Sequence, residues 1–117
     1  MTKYKTKFET MRRRVDFDLV MHQGDRSRGK LITVLALVDE VESLRGRVGI
    51  TVSKKVGNAV QRNLIRRRIK SIIRGYCLRR DCLVVIIARP EARLATFVDL
   101  SQEMTYCFSK LNLDDRY

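Results

Sequence analysis

The chain has 117 residues, with 25 Lys and Arg against 13 Asp and Glu, for a formal net charge of +12. That length supports one core of two packed layers rather than two domains, and no apolar run approaches the ~18 residues of a membrane-spanning helix. The charge points to a polyanionic partner, nucleic acid first and an anionic membrane surface second.

Residues 1–10 alternate Lys and Thr and are expected to form a mobile basic tail. No apolar signal region follows the charged start, which places the chain in the cytoplasm. A short helix is predicted over about 11–21, with Val15, Leu19 and His22 on one face and Phe17, Val20 and Met21 on another. Gly24 is placed to end it in left-handed geometry, and 25–30 read as a polar basic loop. Residues 31–38 (LITVLALV) are apolar and branched, as in a central strand covered on both faces. Acids cluster in a turn at 39–45. Residues 47–53 then alternate, Val48, Ile50 and Val52 against Gly49, Thr51 and Ser53, predicting a half-buried strand paired with the previous one as a hairpin.

A turn at Gly57 and Asn58 leads into a long helix, with Asn58 a candidate cap. The third strand is 82–88 (CLVVIIA), closed by Arg89 and Pro90. Thr96 and Asp99 resemble a capping box opening a last helix whose apolar face is Phe97, Leu100, Met104, Phe108 and Leu111. Residues 112–117 read as a polar tail. The order α-β-β-α-β-α predicts a single α+β domain, a small central sheet packed by helices.

The stretch 53–76 (SKKVGNAVQRNLIRRRIKSIIRGY) carries the functional signal. At about 100° per residue, Ile65, Ile69, Ile72, Ile73 and Tyr76 share one arc of the helix. Arg66, Lys70 and Arg74 form a four-residue ladder on the next arc, with Asn63 and Arg67 beside them and Arg62 at its edge. Solvated helix faces normally mix signs, because like charges four apart repel. Here no acid occurs between Glu42 and Asp81, while twelve Lys or Arg lie in that interval. An anion that relieves this repulsion is the natural partner, and nucleic acid supplies charges at suitable intervals.

Side-chain catalysis finds little support. His22 is the single histidine and sits at a helix end. Asp16 and Asp18, two apart, point to different sides of a helix. Asp39, Glu40 and Glu42 read as a solvated turn, and Cys77, Cys82 and Cys107 lack zinc-site spacing. No catalytic residue and no protein-bound metal is expected. Binding features are richer: Phe17 and the open sheet face, with Thr51, Ser53 and Arg89 nearby, could form a cleft in which bases stack and phosphates meet cations.

The run from Val48 to Val60 (VGITVSKKVGNAV), followed by Arg62 and Asn63, resembles the signature of the protein subunit of bacterial ribonuclease P. Asp16-Phe17 with Gly24, and the strand ending Ile87-Ala88-Arg89-Pro90, extend the likeness over about 12–111. The resemblance implies a small basic protein bound to a large catalytic RNA, the pair cutting precursor tRNA to release its 5′ leader with Mg2+ held mainly by the RNA. It implies a left-handed βαβ crossover, against the usual hand. It also implies that Arg62, Asn63, Arg66, Arg67, Lys70 and Arg74 face the RNA subunit. The leader would lie in a cleft with Phe17, Met21, Thr51, Ser53, Lys54, Lys55 and Arg89, and Gly57 and Asn58 would form the turn.

Three positions depart from the family pattern. Leu64 stands where a basic residue is usual, with Arg68 a partial replacement from another side of the helix. Met21 and Leu35 stand where aromatics are common, so the cleft has fewer stacking rings, and methionine is a deformable substitute. Weaker or less base-selective leader contact is expected. Alternative readings are a general RNA chaperone, which explains the charge but not the strand-turn-helix signature, and a free-standing nuclease, which lacks an acid or histidine constellation. A peripheral membrane protein ranks last, because the basic helix has no large exposed apolar face.

Overall fold

The computed structural model describes residues 8–38 and 46–114. Its elements are β1 (Glu9–Thr10), α1 (Arg14–Gln23), β2 (Asp25–Arg28), β3 (Ile32–Val38), β4 (Arg47–Val52), α2 (Ala59–Ile73), β5 (Cys82–Ala88), a 3-10 turn (Pro90–Leu94) and α3 (Phe97–Leu111). The acidic turn expected at 39–45 and residues 1–7 of the expected tail lie outside the described residues.

The strands form one mixed sheet in the order β1-β4-β5-β3-β2. β4 runs parallel to both β1 and β5, while β3 is antiparallel to β5 and to β2. The hairpin expected between β3 and β4 does not form, because β5 lies between them: Val85 faces Leu35 on one side and Gly49 on the other. The reason is burial. A continuously apolar strand such as CLVVIIA gains most in a central slot with both faces covered, and α2 supplies the crossover that a parallel β4–β5 pair requires.

Alternation along the strands divides the core between two faces of the sheet. On one face, Ile32, Val34, Val48, Val52, Val84 and Ile86 pack with Ile65, Ile69, Ile72 and Ile73 of α2 and with Leu100, Met104, Cys107 and Phe108 of α3. On the other, Leu35, Leu83 and Val85 pack with Met11 and Val20, flanked by Phe17, Leu37 and Ile87. The second face is covered by α1 and by Met11 just before it, and stays partly open at Thr51 and Ile87.

Local chemistry fixes the helix ends. Asn58 accepts from the Gln61 amide while the Gln61 side chain accepts from the Asn58 amide, each at 2.9 Å. Thr96 and Asp99 make the same reciprocal pair at the start of α3. Each such box satisfies two otherwise orphaned donors. Tyr76, just beyond α2, stacks on Phe108 with centroids 4.7 Å apart, and its hydroxyl meets Thr105 Oγ1 at 2.6 Å.

Several expectations need correction. Residues 25–28 form a strand rather than a loop, with Ser27 buried and its neighbours exposed. Glu9 and Thr10, expected in the tail, ladder onto Arg47 and Val48. Gly24 is extended (φ −75°, ψ 154°) rather than left-handed. Glycine suits it because a Cβ would stand 2.6 Å from the Val20 carbonyl oxygen. The left-handed residue is Asn112 (φ 57°), which caps α3. Leu113 beyond it is buried, and its amide donates to the Phe108 carbonyl; residues 112–114 belong to the fold. On α3, Phe97 is largely exposed and Cys107 takes a core place instead.

Candidate nucleic-acid interface

The first surface is the cationic side of α2. Burying Ile65, Ile69, Ile72 and Ile73 against the sheet turns Asn63, Arg67 and Arg74 to solvent and leaves Arg62, Arg66 and Lys70 half-buried at the margin. Arg66, Lys70 and Arg74 recur at about 6 Å along the axis. The Arg66 guanidinium donates to Asn63 Oδ1 at 3.1 Å, which orients it across the helix surface. Among the described residues, none of these five cations pairs with a carboxylate. Arg68 lies elsewhere: it donates to the Ala95 carbonyl at 3.1 Å, tying α2 to the start of α3. Its charge therefore does not fill the gap at Leu64, which is itself 43% exposed among the arginines.

The second surface is the open part of the α1 face. The Phe17 ring lies on Gly49, where an added Cβ would approach Phe17 Cζ too closely to fit, so the glycine makes room for the ring. Asp16 forms a 3.6 Å ion pair with Arg47, which fixes the flank of α1 turned toward that end of the sheet. Met21 is five residues later, about 140° around the helix. It therefore lies on the opposite flank of the helix, where it is 40% exposed.

Register defines a row across the sheet. Thr51 faces Ile87, Ile87 faces Thr33, and Thr33 faces Arg28; Thr51 and Arg28 are exposed, Ile87 is half-buried and Thr33 is buried. One step further along the strands, Ser53 and Arg89 continue the same face, and the Arg89 amide donates to the Leu31 carbonyl at 2.8 Å. Arg89 has only a long contact to Glu91, 3.8 Å. The result is a trough beside α1 whose floor is open at Thr51 and Ile87, with Phe17 and Met21 on the helix and Ser53 and Arg89 at the strand ends. Lys54 and Lys55 follow Ser53 in an exposed turn pinned beneath by buried Val56. Since α2 packs on the other face of the sheet, this turn joins the trough to the cationic helix. Gly57 stands next to it, where a Cβ would meet the Gln61 side chain of the capping box.

The structure thus brings Phe17, Met21, Thr51, Ser53 and Arg89 around one trough and sets Arg62, Asn63, Arg66, Arg67, Lys70 and Arg74 on a separate helix. It adds Arg26 and Arg28, which a reading of 25–30 as a loop left without direction. The signal was present as alternation, Arg-Ser-Arg with the small residue inward.

A second concavity, between the β2–β3 turn and α3, carries Glu91, Asp99 and Glu103, the wrong sign for phosphate. Glu103 is committed there to the amides of Lys30, Leu31 and Ile32 at 3.1, 2.7 and 2.7 Å. His22 uses Nδ1 on the Asp18 carbonyl. Burial pushes the Cys107 thiol up from its ordinary range, away from the reactive thiolate. Among the described residues, no three His, Cys, Asp or Glu side chains converge as metal ligands, and no helix is long and apolar enough to cross a membrane.

A sequence profile of the family described as Ribonuclease P matches residues 6–112. The chain belongs to the ribonuclease P protein-component family. The ribonuclease P protein component of Thermus oshimai is 42% identical over 93 residues, covering 80% of this chain and 58% of that protein. That of Brucella melitensis is 37% identical over 114 residues, covering 88% and 79%. The chain spans a little over half the length of the Thermus relatives it matches. Among solved structures, the Staphylococcus aureus RNase P protein superimposes with a TM-score of 0.80 at 24% identity, over 93% of this chain and all of that one. The Thermotoga maritima protein gives 0.72 at 24% identity, over 84% and 93%. At that identity the two structures speak to the fold, which is the ribonuclease P protein fold.

Proposed function

We propose that this chain is the protein subunit of a ribonucleoprotein that removes the 5′ leader of precursor tRNA. The cationic side of α2 binds the catalytic RNA subunit, and the trough between α1 and the sheet holds the single-stranded leader. The observation that carries this reading is the trough itself. An aromatic ring and a methionine on the helix, an arginine at the strand end and a floor open at Thr51 and Ile87 suit unpaired nucleotides, whose bases want apolar contact and whose phosphates want cations. A duplex, with its bases stacked inside, gains nothing from such a trough.

Hydrolysis belongs to the RNA partner in this reading. Mg2+ held mainly by that RNA would activate the water and stabilise the leaving oxygen. Among the described residues no acids converge to hold the ion, the α2 surface is cationic, and this chain's part in the proposal is to bind and position. Lys and Arg screen repulsion between the two RNAs, and the trough fixes the leader beside the cleavage site. The cytoplasm is the compartment where precursor tRNA would be met.

The test is 5′ processing of a precursor tRNA at near-physiological Mg2+. Protein alone, a bacterial ribonuclease P RNA alone and their mixture are compared. The proposal expects efficient cleavage from the mixture only. Cleavage by the protein alone would place the chemistry in this chain and overturn it. Tight RNA binding without any effect on processing would favour a general RNA chaperone.

A further inference from the structure

β2 is the sheet's outer strand, and its two arginines lie where a nucleic-acid strand crossing the trough would leave the protein. Arg26 stands opposite Leu35 and Arg28 opposite Thr33. Both therefore project from the face that carries Thr33, Leu35, Val85, Ile87, Gly49 and Thr51. Both are exposed, and among the described residues neither side chain has a hydrogen bond or an ion pair. The row from Thr51 to Arg28, exposed at both ends with Ile87 half-buried and Thr33 buried between them, spans three strand spacings, about 14 Å. It begins near Ser53 and the Lys54-Lys55 turn and ends on cations.

We infer that Arg26 and Arg28 form a second phosphate-binding station for the leader, so that the strand runs across the sheet from β4 to the β2 edge. The inference rests on the leader-binding reading and extends it to residues outside the signature motif. Leu35 is buried and has Arg26 as its direct cross-strand neighbour, so what this end of the row offers a nucleic-acid strand is charge. Such a leader site is salt-sensitive and weakly base-selective, because phosphates carry no sequence information.

Charged residues on edge strands also deter sheet-to-sheet pairing. That role does not require both charges on one face. Here Ser27 takes the inward position against the helical layer, its carbonyl 3.8 Å from Cys107 Sγ, and both arginines turn to the side of the trough. The one acid on that flank of α1, Asp18, is drawn toward Arg14 at 4.0 Å, leaving the two cations unneutralised.

The experiment uses holoenzyme assembled from the protein and a bacterial ribonuclease P RNA. Affinities for leader-bearing and leaderless tRNA are measured against salt for wild type, the double variant R26A/R28A and the charge-preserving R26K/R28K. The expected result is a loss of roughly three- to tenfold at ~0.15 M salt for the leader-bearing substrate with R26A/R28A, and none for the leaderless one. The salt slope for the leader-bearing substrate falls by up to about 1.4, near 0.7 for each phosphate released. R26K/R28K retains most of the wild-type affinity, as a point-charge contact requires. Equal losses on both substrates would put these residues on the RNA subunit or the tRNA body and overturn the inference. No loss on either would leave them as edge protection and also overturn it. If wild type itself binds both substrates equally, the leader-trough reading fails, and this inference with it.

Discussion

Arg66 and Arg67 show what a single side chain contributes on the cationic helix. Arg66 is held by Asn63 and half-buried, so little side-chain freedom remains to be lost on contact with a phosphate, whereas Arg67 stands free in solvent. Arg66→Ala and Arg67→Ala should each weaken binding to the RNA subunit and lower the salt slope by about 0.7–0.9 for every phosphate contact removed. Filter binding or fluorescence titration over a salt series checks this. An unchanged slope would mean that this side of α2 does not touch RNA. Arg68, tied to the Ala95 carbonyl, should behave differently: Arg68→Ala acts through the α2–α3 junction and not through the slope. Similar residues on one helix therefore have different work, and the hydrogen-bond partner separates them.

At the scale of elements, Glu103 is the tie between α3 and the β2–β3 turn. Its carboxylate takes three amide protons that the bend at Gly29–Leu31 would otherwise leave without partners, and Gly29 has no Cβ because Glu103 lies there. Glu103→Ala should cost about 2–3 kcal/mol, the range for charge-assisted bonds and the amides they strand, read as a lowered midpoint in urea unfolding. Helices α2 and α3 were legible in the sequence, because period and caps agree: Asn58, and Thr96 with Asp99, mark their starts, while the Gln61 half of the first box came from the structure. Strands β3, β4 and β5 were legible for the same reason, as runs of branched residues. Their pairing was not. Periodicity gives the face a residue occupies but not which strand lies beside it, so β3 and β4 read as a hairpin until β5 is seen between them. The short strands β1 and β2 carry two and four residues, too few for a pattern, and β2 hid Arg26 and Arg28 inside an apparent loop. Gly24 was misread because a glycine can serve close approach as well as left-handed geometry.

For the whole molecule, the sheet separates two tasks. One face is closed by α2 and α3 and carries the core, while α1 closes the other only in part and leaves the trough. The charge of +12 is general, but its placement is specific: a cation row on α2, Arg89 and the Lys54-Lys55 turn at the trough, Arg26 and Arg28 at its far edge. The signature motif made most of the α2 site and part of the trough legible, because Thr51, Ser53, Lys54 and Lys55 are consecutive or alternate in one strand and turn. The rest depended on register between distant strands, which no local pattern contains. The central claim is that the trough holds the leader while α2 holds the RNA subunit. Its most direct test is the ratio of affinities for leader-bearing and leaderless tRNA in holoenzymes assembled with wild type and Phe17→Ala, each saturated with RNA subunit and each shown by thermal melting to be folded. Loss of one base-stacking contact, worth ~1–3 kcal/mol, should collapse the ratio toward one with the leaderless affinity unchanged. A ratio that survives Phe17→Ala, or an equal fall for both substrates, would contradict the account.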